Sequence, residues 1–254
     1  MLAIERHRQL LKLLQTQESV RTADVARALG VTEETVRRDF EKLESDGVLQ
    51  RSHGGAVRIE AQRREFPVRE RAAQNAAAKR HIAQAALKLI HPGQTVFFDP
   101  STTIQELARQ LVEQPLTVLT NSLQIAMILA EKPTIKTVLV GGNLMPNSLS
   151  CVGWGAEQSL DLYRVDSAFI SCRGIDPERG LSEATEEQAR LKRLVLERAE
   201  AAYLLADASK CGLASNYFFT RNSGIDAWIT DAPPPEPLKA SLTAQGVRIE
   251  VIAA

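Results

Sequence analysis

The sequence is poor in cysteine and has no excess of charge of either sign. Its three cysteines, Cys151, Cys172 and Cys211, are widely spaced and have no pair of histidines nearby. Such a set predicts neither a disulfide framework nor a zinc site, so we interpret the cysteines as small residues of the core or close to a site. Lysine and arginine together number 31, as do aspartate and glutamate. This balance disfavours a protein that coats nucleic acid through bulk electrostatics, and any DNA contact must be local.

Long apolar runs are also missing. No stretch reaches the roughly 18 to 20 apolar residues that a membrane helix needs, and no early segment has the length and flanks of a signal peptide. We therefore expect a cytoplasmic protein. With 254 residues, 44% of them apolar and 24% charged, the chain has the composition of a folded protein with a packed core. Its length suits one large domain, or a small module and a larger domain.

The first sixty residues show the pattern of a helix-turn-helix. After an initial helix with an apolar stripe, Thr22 is predicted to cap a second helix that ends at Gly30, and Thr32 to cap a third. A helix-turn-helix requires a small residue in its first helix, a tight turn, and an apolar residue inside its second helix. Ala26, Gly30 and Val36 meet these needs. A plain three-helix bundle shows the same pattern and stays an alternative.

The predicted third helix has two different faces. Val36, Phe40 and Leu43 fall within a narrow arc at about 100° per residue, which is typical of a core-facing stripe. The opposite side is polar, as a helix that presents its first turns to the major groove requires. Its arginines would either read guanine or grip phosphate. The candidates for DNA contact on this helix are Thr32, Glu34, Thr35, Arg37 and Arg38.

A hairpin is predicted after this helix. Two short strands, at 47–51 and 56–59, enclose a turn that contains a glycine pair. Such a wing would place cations, Arg58 among them, near the phosphate backbone, where they raise affinity without reading sequence. His53 is equally explained as an ordinary turn residue. The remaining candidates for DNA contact are Thr22, Arg51, His53, Gly54 and Gly55.

The segment that follows is basic. Seven cations face only three glutamates between residues 58 and 80, a pattern typical of a solvated linker or helix face. The cations are Arg58, Arg63, Arg64, Arg69, Arg71, Lys79 and Arg80, and the glutamates are Glu60, Glu65 and Glu70. We expect a linker over 59–76, which either helps to position the two modules or only connects them.

From residue 77 onward, apolar runs alternate with helical segments, which predicts a largely parallel sheet. The predicted strands are 95–98, 116–119, 135–140, 167–170, 202–205, 227–229 and 248–252. The predicted helices are 77–90, 104–111, 123–131 and 186–200. Polar residues or glycine directly follow five of the strands, namely Asp99, Asn121, Gly141, Asp207 and Asp231. The carboxyl ends of parallel strands share one edge of the sheet, and ligands bind there.

This edge has the chemistry of an anion site. Residues 99–103 bring three hydroxyls to the start of a helix, where backbone amides favour phosphate, although one hydroxyl would serve equally well as a helix cap. A double glycine allows close approach of a ligand or makes a plain turn. Arg173 would pair with a phosphate or be solvated. The candidates for ligand contact are Asp99, Ser101, Thr102, Thr103, Asn121, Gly141, Gly142, Arg173 and Lys210. Neither a metal nor a cofactor is expected.

Residues 35–44, with the sequence TVRRDFEKLE, closely resemble the DNA-binding signature of the DeoR family of bacterial repressors, as do Gly47, Leu49, Arg51 and the HGGA run at 53–56. Phe40 stands where that family usually has leucine. Later segments resemble the family's effector domain, in which Ser101 replaces a usual glycine. These segments are 99–103, 120–122, 141–144, 174–176, 187–189 with 192–193, 205–207 with 209–210, and 229–231.

The resemblance implies a winged helix-turn-helix domain over 1–58, the linker over 59–76, and an α/β effector domain akin to ribose-5-phosphate isomerase over 77–254. It also implies a transcriptional repressor of a carbohydrate-utilisation operon, controlled by a phosphorylated sugar or a sugar-derived metabolite. Since one recognition helix covers few base pairs, we expect a homodimer or higher homo-oligomer on double-stranded operator DNA.

Two other functions stay open from the sequence. An isomerase-like domain could interconvert sugar phosphates with Glu183, Glu186 or Glu187 as the base. Glutamates at the start of a helix are more simply explained as surface charge that favours the helix N-terminus, so we expect no enzyme. The third function is that of an activator, or architectural DNA-binding protein, without an effector.

Overall fold

The computed structural model describes residues 2–17, 19–45, 48–58 and 65–252. Its N-terminal part contains three helices and a three-stranded antiparallel sheet of order β1-β3-β2. The elements are α1 (Ala3–Thr16), β1 (Ser19–Arg21), α2 (Thr22–Leu29), α3 (Glu33–Ser45), β2 (Leu49–Ser52) and β3 (Gly55–Arg58). This is the winged helix-turn-helix that the sequence predicts, with β1 as an additional strand.

The turn between α2 and α3 forms as predicted, whereas the start of α2 does not. Gly30 has a left-handed φ of 64°, and the Oγ1 of Thr32 accepts a hydrogen bond from the amide of Thr35 at 3.2 Å. The prediction that Thr22 caps α2 is wrong, because β1 runs directly into the helix. Thr22 is the first helical residue and is buried, and its amide donates to the carbonyl oxygen of Gly54 at 2.8 Å.

The C-terminal part is a seven-stranded, wholly parallel sheet of order β15-β14-β12-β9-β4-β5-β6, with helices on both faces. Its helices are α4 (Val68–Ala73), α5 (Ala76–Ala86), α6 (Thr102–Gln110), α7 (Leu123–Ala130), α8 (Trp154–Leu160), α9 (Glu186–Arg198) and α10 (Glu236–Ala244). The strands of the large sheet are β4 (Thr95–Phe98), β5 (Leu116–Thr120), β6 (Ile135–Leu139), β9 (Val165–Ile170), β12 (Ala199–Leu205), β14 (Ala227–Thr230) and β15 (Arg248–Val251). The largely parallel sheet predicted from the apolar runs is confirmed.

Two smaller sheets accompany the large one. A hairpin pairs β7 (Asn143–Met145) with β8 (Ser150–Val152), and β10 (Gly174–Asp176), β11 (Gly180–Glu183) and β13 (Tyr217–Thr220) form an antiparallel sheet. Short 3₁₀ turns lie at Leu87–Leu89, Ala208–Lys210 and Asn222–Gly224. None of these strands was predicted, because runs of three or four residues are too short to show an alternating pattern.

The basic segment predicted as a linker contains ordered structure. Helix α4 lies within 59–76, and α5 begins at its last residue. The cations Arg63 and Arg64 lie outside the described residues, as does the side chain of Arg58. Arg71 lies on α4 and Lys79 lies on α5. Both side chains lie against the large sheet instead of pointing into solvent.

Alternation along the strands builds a core on each face of the large sheet. Phe97 and Phe98, adjacent in β4, are both buried, and each belongs to a different apolar cluster because successive side chains of a strand point to opposite faces. Helices α8, α9 and α10 cover one face, and α5, α6 and α7 cover the other. At the carboxyl ends of the strands, the loops that follow them can meet along one edge of the sheet.

The strand order places a switch point between β4 and β9. From β4 the chain moves outward through β5 to β6, and from β9 it moves the opposite way through β12 and β14 to β15. The loops that follow these two neighbouring strands therefore leave toward opposite sides. Such a divergence opens a crevice at the carboxyl end of the sheet, the usual place for a ligand in an open α/β fold.

Candidate functional site

The outer face of α3 offers exposed charged side chains. The side chains of Arg37 and Arg38 are 59% and 77% exposed. Arg37 pairs with Glu33 at 3.1 Å, and Arg38 with Glu34 at 3.4 Å. Exposed pairs of this kind are worth only about 0–1 kcal/mol. Both arginines can therefore exchange their glutamates for DNA at little cost.

A buried carboxylate holds this helix in place. Asp39 is 5% exposed and accepts hydrogen bonds from Arg6 and His7 of α1, the latter at 2.8 Å from Oδ1 to Nε2. Burial raises the pKa of Asp39, but the hydrogen bonds from Arg6 and His7 outweigh burial and leave the pKa below its ordinary value. Asp39 therefore fixes α3 on α1. Sequence reasoning missed it, because its partners lie more than thirty positions away.

In the wing, Arg51 is engaged by α3. Its Nε donates to Glu44 at 2.7 Å and its Nη1 to Glu41 at 2.8 Å, and the hydrogen bond to Glu44 is the largest cause of a raised pKa of Arg51. Arg51, predicted to lie near phosphate, here ties the wing to α3. His53 is exposed at the tip of the wing.

The two wing glycines have different structural roles. Gly54 has a φ of 84°, and a Cβ added to it would meet no atom within 4 Å. A Cβ on Gly55 would lie 2.1 Å from the carbonyl oxygen of Val20 in β1. Gly54 therefore serves the turn, whereas Gly55 allows β1 and β3 to approach.

A pocket lies at the switch point, as the fold requires. It is small, about 30 Å³, and four segments line it: the loops after β4, β9 and β12, and the α4–α5 region. Its lining includes five of the predicted ligand candidates, Ser101, Thr102, Thr103, Arg173 and Lys210. It also includes residues that were not among the ligand candidates, namely Arg71, Gln74, Asn75, Lys79, Ser171, Cys172 and Asp207.

The loop after β4 is held by its own side chains. Ser101 is the N-cap of α6, and its hydroxyl accepts from the amide of Ile104 at 3.3 Å. The carboxylate of Asp99 is fully buried and accepts from the amides of Ser101, at 2.9 Å, and Ser171, at 2.7 Å. It also pairs with the buried Lys192 at 2.8 Å. Asp99 therefore positions the loops after β4 and β9 instead of lining the pocket.

Cations dominate the lining of the pocket. Burial lowers the pKa of Arg71, of Lys79 to about 7, of Arg173 to about 10, and of Lys210. Burial raises the pKa of Asp207, but Lys210 and the hydrogen bond from Ser209 outweigh it and lower the pKa overall. Among the described lining residues, four basic side chains thus face one carboxylate. Such an excess of buried positive charge favours the binding of an anion.

Three predicted ligand candidates lie elsewhere in the structure. Asn121 donates to the carbonyl oxygen of Cys151 in β8 at 3.0 Å, and a Cβ on Gly142 would lie 2.5 Å from the carbonyl oxygen of Val152. Neither residue lines the pocket, nor does the neighbouring Gly141. The structure gives Asn121 and Gly142 a role in seating the β7–β8 hairpin.

The glutamates considered as catalytic bases do not converge on the pocket. Glu183 pairs with the buried Lys192, and Glu186 and Glu187 are exposed in the first turn of α9. Within the described ranges, no three His, Cys, Asp or Glu side chains are grouped so that they could hold a metal ion. In the same ranges, no helix combines the length and apolar character needed to cross a membrane.

Comparison with known proteins gives the same two parts. The family model of the DeoR-like helix-turn-helix domain matches residues 6–62, and that of the DeoR C-terminal sensor domain matches residues 74–232. An uncharacterised HTH-type transcriptional regulator of Bacillus subtilis is 38% identical over 91% of this chain and 90% of its own. A lactose phosphotransferase system repressor of Staphylococcus epidermidis is 34% identical over 88% of this chain and 90% of its own.

Among solved structures, ribose 5-phosphate isomerase A of Methanocaldococcus jannaschii is similar to this chain with a TM-score of 0.41 and 20% identity. The similarity covers 54% of this chain and 55% of that chain.

Proposed function

This chain belongs to the DeoR family of transcriptional regulators, and we propose that it represses a carbohydrate-utilisation operon under the control of a phosphorylated sugar or a sugar-derived metabolite. The observation that carries the proposal is the cationic pocket at the switch point, joined in one chain to a winged helix-turn-helix. The name of the staphylococcal relative supports both repression and sugar metabolism. The proposed location of the protein is the cytoplasm, because a regulator of this kind must reach both the chromosome and the metabolite.

The lining of the pocket suits a phosphorylated polyol. The first-turn amides of α6, at Thr102 and Thr103, have no acceptor inside their own helix, and an anion at a helix N-terminus satisfies such groups. Arg173 and Lys210 add charge, and arginine favours bidentate contact with phosphate. The side-chain amide of Gln74 would meet sugar hydroxyls, which donate and accept hydrogen bonds.

Binding without turnover is favoured over sugar-phosphate isomerisation. A proton transfer at carbon needs a base within hydrogen-bond reach of the substrate. Glu183 is committed to Lys192, and Asp207 is held by Ser209 and Asn75. Conversion of pentose or hexose phosphates by the purified protein would establish the enzymatic function instead.

We propose further that two copies bind operator DNA together. One recognition helix reads only a few base pairs, so a second module lengthens the site. Leu139, at the end of edge strand β6, Leu144 in β7 and Trp154 at the start of α8 are exposed by 40%, 53% and 76%. Gly155, the neighbour of Trp154, lies against Gly142. Gly142 falls between Leu139 and Leu144 in the sequence, so this contact brings Trp154 toward the segment that carries both leucines. An apolar surface at an open sheet edge suits self-association.

The test of the function is a band-shift titration of the DNA upstream of the gene, with and without a panel of pentose and hexose phosphates. A ligand changes DNA affinity only if it prefers one conformation, and a coupling of about 1–3 kcal/mol changes affinity about 5- to 150-fold. We expect one sugar phosphate to release the DNA. We expect Lys210→Ala to keep DNA binding and to lose this response, because the pocket loses a cation.

Lys239→Ala is the matched control, since Lys239 lies on α10, away from the pocket, and is half exposed. It should respond like the unchanged protein. DNA binding without response to any phosphate would favour an activator or architectural protein without an effector. An unchanged response of Lys210→Ala would show that the pocket is assigned wrongly.

A further inference from the structure

A single side chain of the DNA-binding part contacts two segments at the carboxyl edge of the large sheet. Arg21 ends β1 and pairs with Gly55 in the wing sheet. Its Nη2 donates to Oδ2 of Asp231, directly after β14, at 2.6 Å, and its Nε donates to Oδ1 of Asn75 at 3.1 Å. We call these three residues, Arg21, Asn75 and Asp231, the Arg21 bridge. It lies between the wing and the edge that carries the pocket.

Asn75 belongs to the bridge and to the pocket at once. It lines the pocket, and its Nδ2 donates to Oδ1 of Asp207 at 3.1 Å and to Oγ of Ser209 at 3.4 Å. Its φ of 51° is left-handed, a conformation that asparagine adopts more readily than most residues, and its side-chain contacts add to the hold on this turn. The second arm of the bridge reaches the same loop, because Oδ1 of Asp231 accepts from the amide of Ala208 at 2.8 Å.

The pocket is too small for the proposed ligand in this conformation. A volume of about 30 Å³ holds about one or two water molecules, whereas a sugar phosphate is many times larger. One wall must move, and the loops after β4 and β9 are fixed together by the buried Asp99. The wall formed by the α4–α5 turn is held by the side chain of Asn75, and therefore by Arg21.

The same edge adjoins the DNA-reading surface. A crevice of about 270 Å³ is lined by Arg37 of α3 and His53 of the wing on one side, and by Ser209 and Asp231 on the other. A second contact joins the two parts, since Nε2 of Gln50 donates to the carbonyl oxygen of Gly212 at 3.0 Å. Displacing Asn75 would thus act on the part of the molecule that presents Arg37.

We propose that the Arg21 bridge couples the pocket to the DNA-binding part: an anionic ligand that opens the α4–α5 wall breaks the bridge, and an intact bridge opposes ligand entry. The inference rests on the proposed function, because it needs a ligand in this pocket. Arg21 is a positioning residue, which acts through Asn75 and does not touch the ligand.

The experiment is a double-mutant cycle on the full chain, with inorganic phosphate as the probe and calorimetric titration as the readout. Arg21→Gln and Asp231→Asn each remove one charge, and asparagine keeps an oxygen for the amide of Ala208. Each variant should bind phosphate roughly two- to fivefold more tightly, the range that a partly exposed ion pair supplies. The double variant should gain no more than either single variant.

Arg27→Gln is the control, since Arg27 lies on α2 in an exposed pair with Asp24. It should bind phosphate as the unchanged protein does. A second readout is the factor by which phosphate changes DNA affinity, which should shrink in Arg21→Gln. A bridge that only stabilises the fold would alter melting temperature without altering this factor.

The experiment distinguishes failure of the Arg21 bridge from failure of the proposed function. If phosphate binds, Lys210→Ala abolishes binding, and Arg21→Gln leaves both affinity and coupling unchanged, the bridge is wrong and the pocket is right. Additive gains in the double variant would also overturn the bridge. If neither phosphate nor any sugar phosphate binds, the proposed function is overturned, and the bridge with it.

Discussion

Among single residues, Lys79 shows best how burial tunes this pocket. Burial, together with the like charges of Lys210 and Arg71, lowers its pKa to about 7, against the opposing attraction of Asp207 and Glu106. A bound anion favours the charged form, so the pKa of Lys79 must rise when the pocket is filled. Between the two pKa values, binding is therefore accompanied by proton uptake.

The direction of this pKa shift determines how anion binding should depend on pH. Affinity for sulfate, which does not titrate near neutrality, should be constant below pH 7 and should fall as pH rises above it, approaching about tenfold per unit. Calorimetric titrations in two buffers of different ionisation enthalpy measure the proton uptake directly. Lys79→Met should bind more weakly with a flatter pH profile from 7 to 9. Absence of proton uptake by the unchanged protein at pH 8 would contradict the assignment.

The same pocket shows which of its lining residues could be predicted from the sequence. Ser101 and Lys210 were predictable because they lie in the loops after β4 and β12 of a parallel sheet, whose carboxyl ends share an edge. Arg71 and Asn75 precede the sheet in sequence and reach the pocket only through the packing of α4 and α5. Their one signal was the basic excess over 58–80, which equally suits a solvated linker. Asp99 followed the strand rule, yet its oxygens are taken up by two amides and Lys192.

At the scale of elements, the wing depends on how closely β1 approaches β3. Gly55→Ala would place a Cβ against the carbonyl oxygen of Val20, which is backbone and cannot swing away. We expect this variant to distort the wing and weaken operator binding at least about tenfold, without loss of phosphate binding. Gly54→Ala meets no atom, so it should bear only the cost of a left-handed alanine, about 1–2 kcal/mol.

Band-shift titration of both glycine variants, beside their melting temperatures, checks this prediction. Equal losses of DNA affinity in Gly54→Ala and Gly55→Ala would show that the contact with β1 is not what requires Gly55. Loss of phosphate binding in either variant would point to a wider disturbance of the fold.

The elements themselves were predictable where their patterns are long. The central strands of the large sheet contain apolar runs, as expected for strands buried on both faces, and the two helices of the helix-turn-helix have clear stripes. The strands of the small sheets were not predicted, because a strand of three residues shows no periodicity. Tertiary structure determines which strands pair in these sheets. Helix α4 was not predicted because its sequence, VRERAA, is short and half of its residues are charged.

At the scale of the whole molecule, the proposed function requires that copies of the chain be arranged to match the operator. The proposed self-association surface around Trp154 lies at the β6 edge of the sheet, whereas the pocket lies at the carboxyl ends of the central strands. The surface can therefore join two chains without covering the pocket. In such an assembly the Arg21 bridge sets the position of each DNA-binding part on a shared base.

Trp154→Glu should separate the copies, because a large apolar side chain at the centre of an interface is worth about 2 kcal/mol or more, or about 30-fold in dissociation constant. Light scattering coupled to size exclusion measures the mass across a dilution series. The variant should reach the monomer mass at higher concentration than the unchanged protein, and its operator affinity should fall in parallel. Val251→Glu, at an exposed apolar residue of β15 on the opposite edge of the sheet, is the control. If both variants keep the mass of the unchanged protein at every dilution, association uses a different surface and the half-sites are joined elsewhere.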